Sequence, residues 1–285
     1  MNDNRDGVAT VSRWHHVWMP GVLVALLLGA CANESARAPN PTSYSWPDSF
    51  AFRVEHARET LRDTEVVARE EEAGRLLFAV RNDRYLVWHD GISRRASLAG
   101  AAPSGGRLET GDTLHYYVRL TRVGTFERIE PDCDPTVAEC AATLPSALPM
   151  ELRHVIARLP VWWPPKGHRW VDTLAFDDLP RPGAARGRVV TTYRDQRDTV
   201  VAGRPCWLVH WRARTDAERK VGGAMVPDPP VEEQGDVLVD KQVLMPVFAA
   251  WHGAPAARTA GATATAFRGR AWLVGSVFDS LQAAR

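Results

Sequence analysis

The chain has 285 residues, 45% hydrophobic and 8% aromatic, and its 35 Lys and Arg against 34 Asp and Glu give a formal charge of +1. That balance excludes the basic surface that nucleic-acid binding needs and implies no acidic partner, so no nucleic acid is expected as a ligand. Lysine occurs only at Lys166, Lys220 and Lys241, an arginine bias that a GC-rich genome explains without functional demand.

The first motif lies near the N-terminus. An apolar run from Val22 to Leu28 leads into Gly29, Ala30 and Cys31. The run is too short for a stable transmembrane anchor, which needs about 20 residues. Small residues at 29 and 30 suit a narrow processing site, Leu28 fills an apolar pocket, and only the thiol of Cys31 can form a thioether. The flanking charge is weak, because Asp3 and Asp6 offset Arg5 and Arg13. The segment closely resembles the lipobox of bacterial lipoproteins, over residues 1–31 alone. That resemblance implies a signal peptide of residues 1–30 and an acyl (palmitate-type) membrane anchor on Cys31. With Ala32 in place of aspartate, it also implies sorting to the outer membrane and a periplasm-facing domain. Each buried methylene contributes about 0.8 kcal/mol, so two or three acyl chains give essentially permanent attachment. A plain secretory signal with an incidental cysteine is the alternative.

Removal of residues 1–30 leaves 255, enough for one large domain or two small ones. Residues 31–48, rich in Ala, Asn, Ser and Pro, read as a lipidated flexible tether with a reach of about 20 Å. Residues 49–285 read as one β-rich periplasmic domain. In an oxidising compartment Cys133 and Cys140, which bracket a short polar loop, are disulfide candidates; closure of so small a ring adds roughly 2 to 3 kcal/mol. A metal pair is the alternative, although no histidine or third cysteine lies nearby. Cys206 is then the odd cysteine, either a buried small hydrophobe or a partner of one of the loop cysteines.

From Arg53 to Gly74 the composition favours a helix, whereas Phe50, Phe52 and Val54 alternate as in a strand, and the pattern leaves both open. Leu76–Val80 and Tyr85–Trp88 read as strands about a turn at Asn82 and Asp83, with a second turn at Asp90-Gly91. Gly100–Gly111 reads as a loop, and 114–121 and 125–129 as strands. Leu148, Leu152, Val155, Ile156 and Leu159 recur at helical spacing, which predicts a helix over 149–159 stopped by Pro160. Strands are expected at 170–176, 188–194, 206–214, 237–240, 243–251, 262–267 and 271–277, with 216–235 a long loop or lid. Many short strands and one clear helix predict an α+β, β-rich fold, a curved antiparallel sheet packed on one or a few helices.

Trp162, Trp163 and Trp170 crowd beside Pro160, Pro164 and Pro165. Rigid prolines beside indoles form a stiff apolar surface, so these three tryptophans are the ligand-contact candidates for a lipid tail or other apolar ligand; a plug closing the core is the plainer reading. The run Gly167-His168-Arg169-Trp170-Val171-Asp172-Thr173 resembles the G-x-x-W-x-D turn of certain uncharacterised bacterial lipoproteins, and Val201–Cys206 resembles a strand lead-in of the same proteins. Their β-rich chains are similar to the LolA/LppX-like half-barrel group, over roughly residues 50–280 in pattern. That resemblance implies a curved sheet that holds acyl chains in its concavity.

Enzyme motifs are absent: there is no G-x-S-x-G, S-x-x-K, H-E-x-x-H, P-loop or C-x-x-C. No catalytic residue, metal ligand or cofactor is expected. A lipid-anchored hydrolase built from His89, Asp90, His168, Asp172, Asp177, Asp178 and His210 is the competing reading, and a purely structural envelope lipoprotein a third. The sequence therefore points to a membrane-anchored envelope lipoprotein that binds an apolar ligand or an envelope partner.

Overall fold

The computed structural model describes residues 43–62, 65–98, 104–107, 115–132, 147–160, 168–178, 185–256 and 263–276. Cys31, Cys133, Cys140, Trp162 and Trp163 lie outside them. The strands are β1 (Ser49–Arg62), β2 (Glu65–Arg81), β3 (Arg84–Leu98), β4 (Ser104–Arg107), β5 (His115–Leu120), β6 (Phe126–Pro131), β7 (Arg169–Asp177), β8 (Ala185–Val201), β9 (Arg204–Val221), β10 (Ala224–Pro227), β11 (Val231–Asp240), β12 (Met245–Pro255) and β13 (Thr263–Leu273). One helix, α1 (Ala147–Val155), lies between β6 and β7.

All thirteen strands join one curved, open antiparallel sheet in the order β6-β5-β3-β2-β1-β13-β12-β11-β9-β8-β7, with β4 on β3 and β10 on β9. The first strand therefore sits in the middle. The chain meanders from there to one edge, reappears at the other edge, and meanders back until β13 pairs with β1. The passage from edge to edge falls between β6 and β7, and α1 lies on that passage. A β-rich α+β fold with a half-barrel-like sheet is thus what the alternating pattern produces.

The strands are longer than their apolar runs. β9 continues through Val221 and turns at Gly222-Gly223, both at positive φ, into β10. The long loop or lid expected at 216–235 is therefore mostly strand. Polar, charged stretches stay in register here because neighbouring strands supply backbone partners, which outweighs side-chain propensity. The same reason settles 53–74 as β1 and β2, with helix-favouring Glu, Arg and Ala paired across the sheet. Asp90-Gly91, expected to turn, runs straight on in β3 opposite a register shift at Ala73/Arg75. Residues 262–277, expected as two strands, include the single strand β13. The Asn82 turn is as expected, with Asn82 at φ 54°.

The helix ends before Pro160. Leu159 N–H donates to the carbonyl of Val123 at 2.8 Å, and Tyr44 Oη–H donates to the carbonyl of Ala157 at 2.7 Å, so residues 156–159 leave the helical path to meet the β5–β6 turn. Tyr44 is fully buried and Trp46 Nε1–H donates to the carbonyl of Thr121, so packed structure begins before Ser49. Residues 41–285 form one compact unit, and every core residue among the described ones belongs to it.

The inner face of the sheet carries Phe52, Val54, Leu76, Phe78, Val87, Val118, Val189, Val209, Trp211, Val237, Ala249, Trp251 and Ala271, all buried. Charged residues populate the outer face, where Arg270 pairs with Glu55 and, with Arg53, stands beside the buried Trp272 ring. Leu148, Leu152 and Val155 of α1, with Ile156 just beyond it, pack on the inner face. The polar residues Arg153 and His154 are buried as well, so both sides of the helix are covered.

Candidate functional site

One register row crosses the inner face beneath α1. It reads Trp170 (β7), Tyr193 (β8), Trp211 (β9), Gly235 (β11), Trp251 (β12), Gly269 (β13), His56 (β1), Glu72 (β2) and Arg94 (β3). Glycine alternates with tryptophan for a steric reason. A Cβ on Gly235 would come within 2.8 Å of the Trp211 ring, and one on Gly269 within 2.3 Å of the Trp251 ring. The indoles thus lie down over the neighbouring strand and form a thin aromatic bed on which a helix can settle. In the next row Phe267 covers Gly253 in the same way.

Three polar contacts bind the helix and its exit segment to this bed. Glu151 stands between two histidines, with His89 Nε2 at 3.0 Å and His56 Nε2 at 3.7 Å. Burial alone would raise the Glu151 pKa, but the charges and hydrogen bonds of His89 and His56 outweigh it and hold the carboxyl well below the usual range. Burial likewise opposes protonation of His89, and Glu151 overcomes it, so the His89 pKa is raised. Arg153 donates to Glu233 on β11, with the two side chains only 7% and 5% exposed. Beyond the helix, Arg158 pairs with Asp172 on β7.

His154 occupies the centre. Its ring stacks on Trp251 at 5.0 Å and 9°, lies 5.6 Å from Trp211, and approaches Phe267 at 6.4 Å. Nε2 is 3.5 Å from Glu233 Oε1 without hydrogen-bond geometry. Burial, then the Arg153 charge, brings the imidazole pKa down to about 4, so it is neutral at pH 7. With Glu233 below its ordinary range, the centre holds a buried Arg–Glu pair beside a neutral imidazole. Such a pair contributes little net stability but costs about 3–5 kcal/mol when one partner is removed.

The sequence candidates are distributed around this centre. Trp170 donates its indole N–H to the carbonyl of Arg158 at 2.7 Å and stacks on Tyr193 at 5.5 Å, so it anchors the helix exit. The hydrolase set does not converge. His89 binds Glu151, Asp172 binds Arg158, His168 is exposed, and His210 pairs with Asp236 at 3.0 Å on the opposite face of β9 from Trp211. Cys206 is a free, buried thiol whose pKa is pushed up to about 11 by burial and then by Asp240. Among the described residues no group of His, Cys, Asp and Glu side chains is placed to hold a metal ion, and no helix is long and apolar enough to cross a membrane.

Sequence reasoning missed His56, Glu151, Arg153, His154, Trp211, Glu233 and Trp251 as a group. Glu151, His154 and Arg158 share one stripe of the helical repeat, which ordinarily marks a solvent face. The available signal was the alternation of tryptophan with glycine at opposed strand positions, visible only once the register is known. No family model matches the chain, and no curated protein sequence matches it.

Proposed function

We propose that the protein is an envelope lipoprotein, held in the outer membrane through lipidated Cys31, whose half-barrel binds an apolar, acyl-type ligand on its inner face. The observation that carries the reading is the aromatic bed of Trp211, Trp251 and Phe267 over glycines, on the inner face of one continuous curved sheet, with α1 seated on it. The ion pairs buried beneath the helix add little net stability, so packing alone does not account for them. The lipobox supplies the location: an acyl-anchored protein operates where acyl chains are the abundant apolar solutes. The likeness of the sequence pattern to the half-barrel lipoprotein carriers points the same way. The dispersed His and Asp residues favour binding over hydrolysis.

A fluorescent fatty acid titrated into residues 41–285 tests this. Saturable, single-site binding that unlabelled fatty acid competes away is expected. Linear, non-competed uptake would overturn the reading.

A further inference from the structure

The centre beneath α1 holds more hydrogen-bond donors than the described residues supply acceptors for. Arg153 spends one terminal nitrogen on Glu233, while Nε and Nη1 are buried with no protein acceptor among the described residues. The indole N–H groups of Trp211 and Trp251 are buried in the same condition. Arg153 lies 5.9 Å from the Trp211 ring, and His154 stacks against both indoles, so the three donor side chains all lie around His154. Orphaned buried donors are rare because each forfeits its hydration without return, about 1–3 kcal/mol apiece. Four such donors, against the one acceptor nitrogen of a neutral His154 ring that is itself unpartnered, make a composition suited to an added oxygen acceptor.

We infer that Arg153, Trp211 and Trp251 form a head-group site for the carboxyl end of a single-chain acyl ligand, an inference that rests on the acyl-binding reading above. With Nη2 on Glu233, the Nε and Nη1 groups of Arg153 act as separate single donors, and a carboxylate, which only accepts, suits such donors together with indole N–H groups. Glu233 already partners the Arg153 charge, so the remaining nitrogens act as directional donors. The tail has a course to follow. Ala213, Thr215 and Ala217 share the Trp211 face of β9, and Ala217 lies about 20 Å along the strand from Trp211 at a rise of about 3.3 Å per residue. There an open depression lies beside Phe176 and Gly187.

The test uses residues 41–285 with two probes of equal chain length, laurate and dodecyltrimethylammonium, which lacks any acceptor. Three variants are compared with wild type: Trp211→Phe, Trp251→Phe and Arg153→Lys. The phenylalanines keep an aromatic ring and remove one N–H each; the lysine keeps the charge beside Glu233 and loses the spare Nε and Nη1 donors. Laurate is expected to bind more tightly than the cation. Its affinity is expected to fall roughly tenfold in each variant, while the phenylalanine variants also lose some Tm because part of each buried indole is removed from above Gly235 or Gly269. Laurate affinity that stays at the wild-type value in all three folded variants, whatever their Tm, would show that these N–H groups serve the fold and would overturn the head-group site. Equal binding of both probes by wild type and variants overturns the head-group site and leaves acyl binding standing. Binding of neither probe overturns both.

Discussion

His154 makes the acid side of the stability profile unusually informative. Its imidazole is neutral when folded, with a pKa of about 4 against 6.5 when exposed. Between those values the unfolded chain binds more protons than the folded one, so stability rises with pH and is lost as pH falls from 6.5 towards 4. The full difference, 2.5 units at about 1.36 kcal/mol each, is about 3 kcal/mol. Between pH 7 and pH 5 the share that is lost is about 2 kcal/mol. The partners titrate elsewhere. Glu151 and Glu233 are depressed carboxylates whose contribution is present above about 4.5 and is lost only below it. His89 is raised, so its contribution is complete below 6.5 and fades as pH climbs through its folded value. His154→Phe keeps a ring between Trp211 and Trp251 and removes the titration. Urea unfolding of wild type and variant at pH 7 and pH 5 isolates the term, because the other groups are common to both. The wild type should lose about 2 kcal/mol more than the variant on acidification. Equal losses would refute the placement of a neutral His154 under the helix.

Gly269→Ala sets a methyl against the Trp251 ring and should destabilise by about 1–3 kcal/mol in urea unfolding; combined with Trp251→Ala, the glycine change should cost almost nothing further. In the exported protein Cys206 should resist a thiol reagent at pH 8 until urea unfolds the chain. If Cys133 and Cys140 are joined, the denatured, unreduced protein should then titrate one thiol, and a count of three would show that they are not. Cys31→Ala should abolish incorporation of an alkyne fatty acid in cells, and a mutant that is still labelled would rule out the lipobox.

Period-2 alternation at 114–121 and 206–214 and the helical spacing of 148–159 made the β-rich sheet and the helix α1 legible in the chain. The lengths of β1, β2 and β9 were not, because their outer thirds are charged and are held in the sheet by neighbours rather than by apolar burial. The buried centre was hidden for a related reason. Glu151, His154 and Arg158 carry the composition of a solvated helix face, and only the passage from β6 to β7 across the inner face turns that stripe inward. Trp170 was singled out from its neighbours in sequence, whereas Trp211 and Trp251, forty residues apart, meet only through β11 between them.

Native mass spectrometry bears most directly on the acyl-binding half-barrel. Residues 41–285, exported behind a leader without Cys31 and purified from the periplasm without detergent, should retain one acyl species per chain. That adduct should be released when the protein is denatured and should be replaceable by laurate. A bare polypeptide mass that laurate leaves unchanged would contradict it.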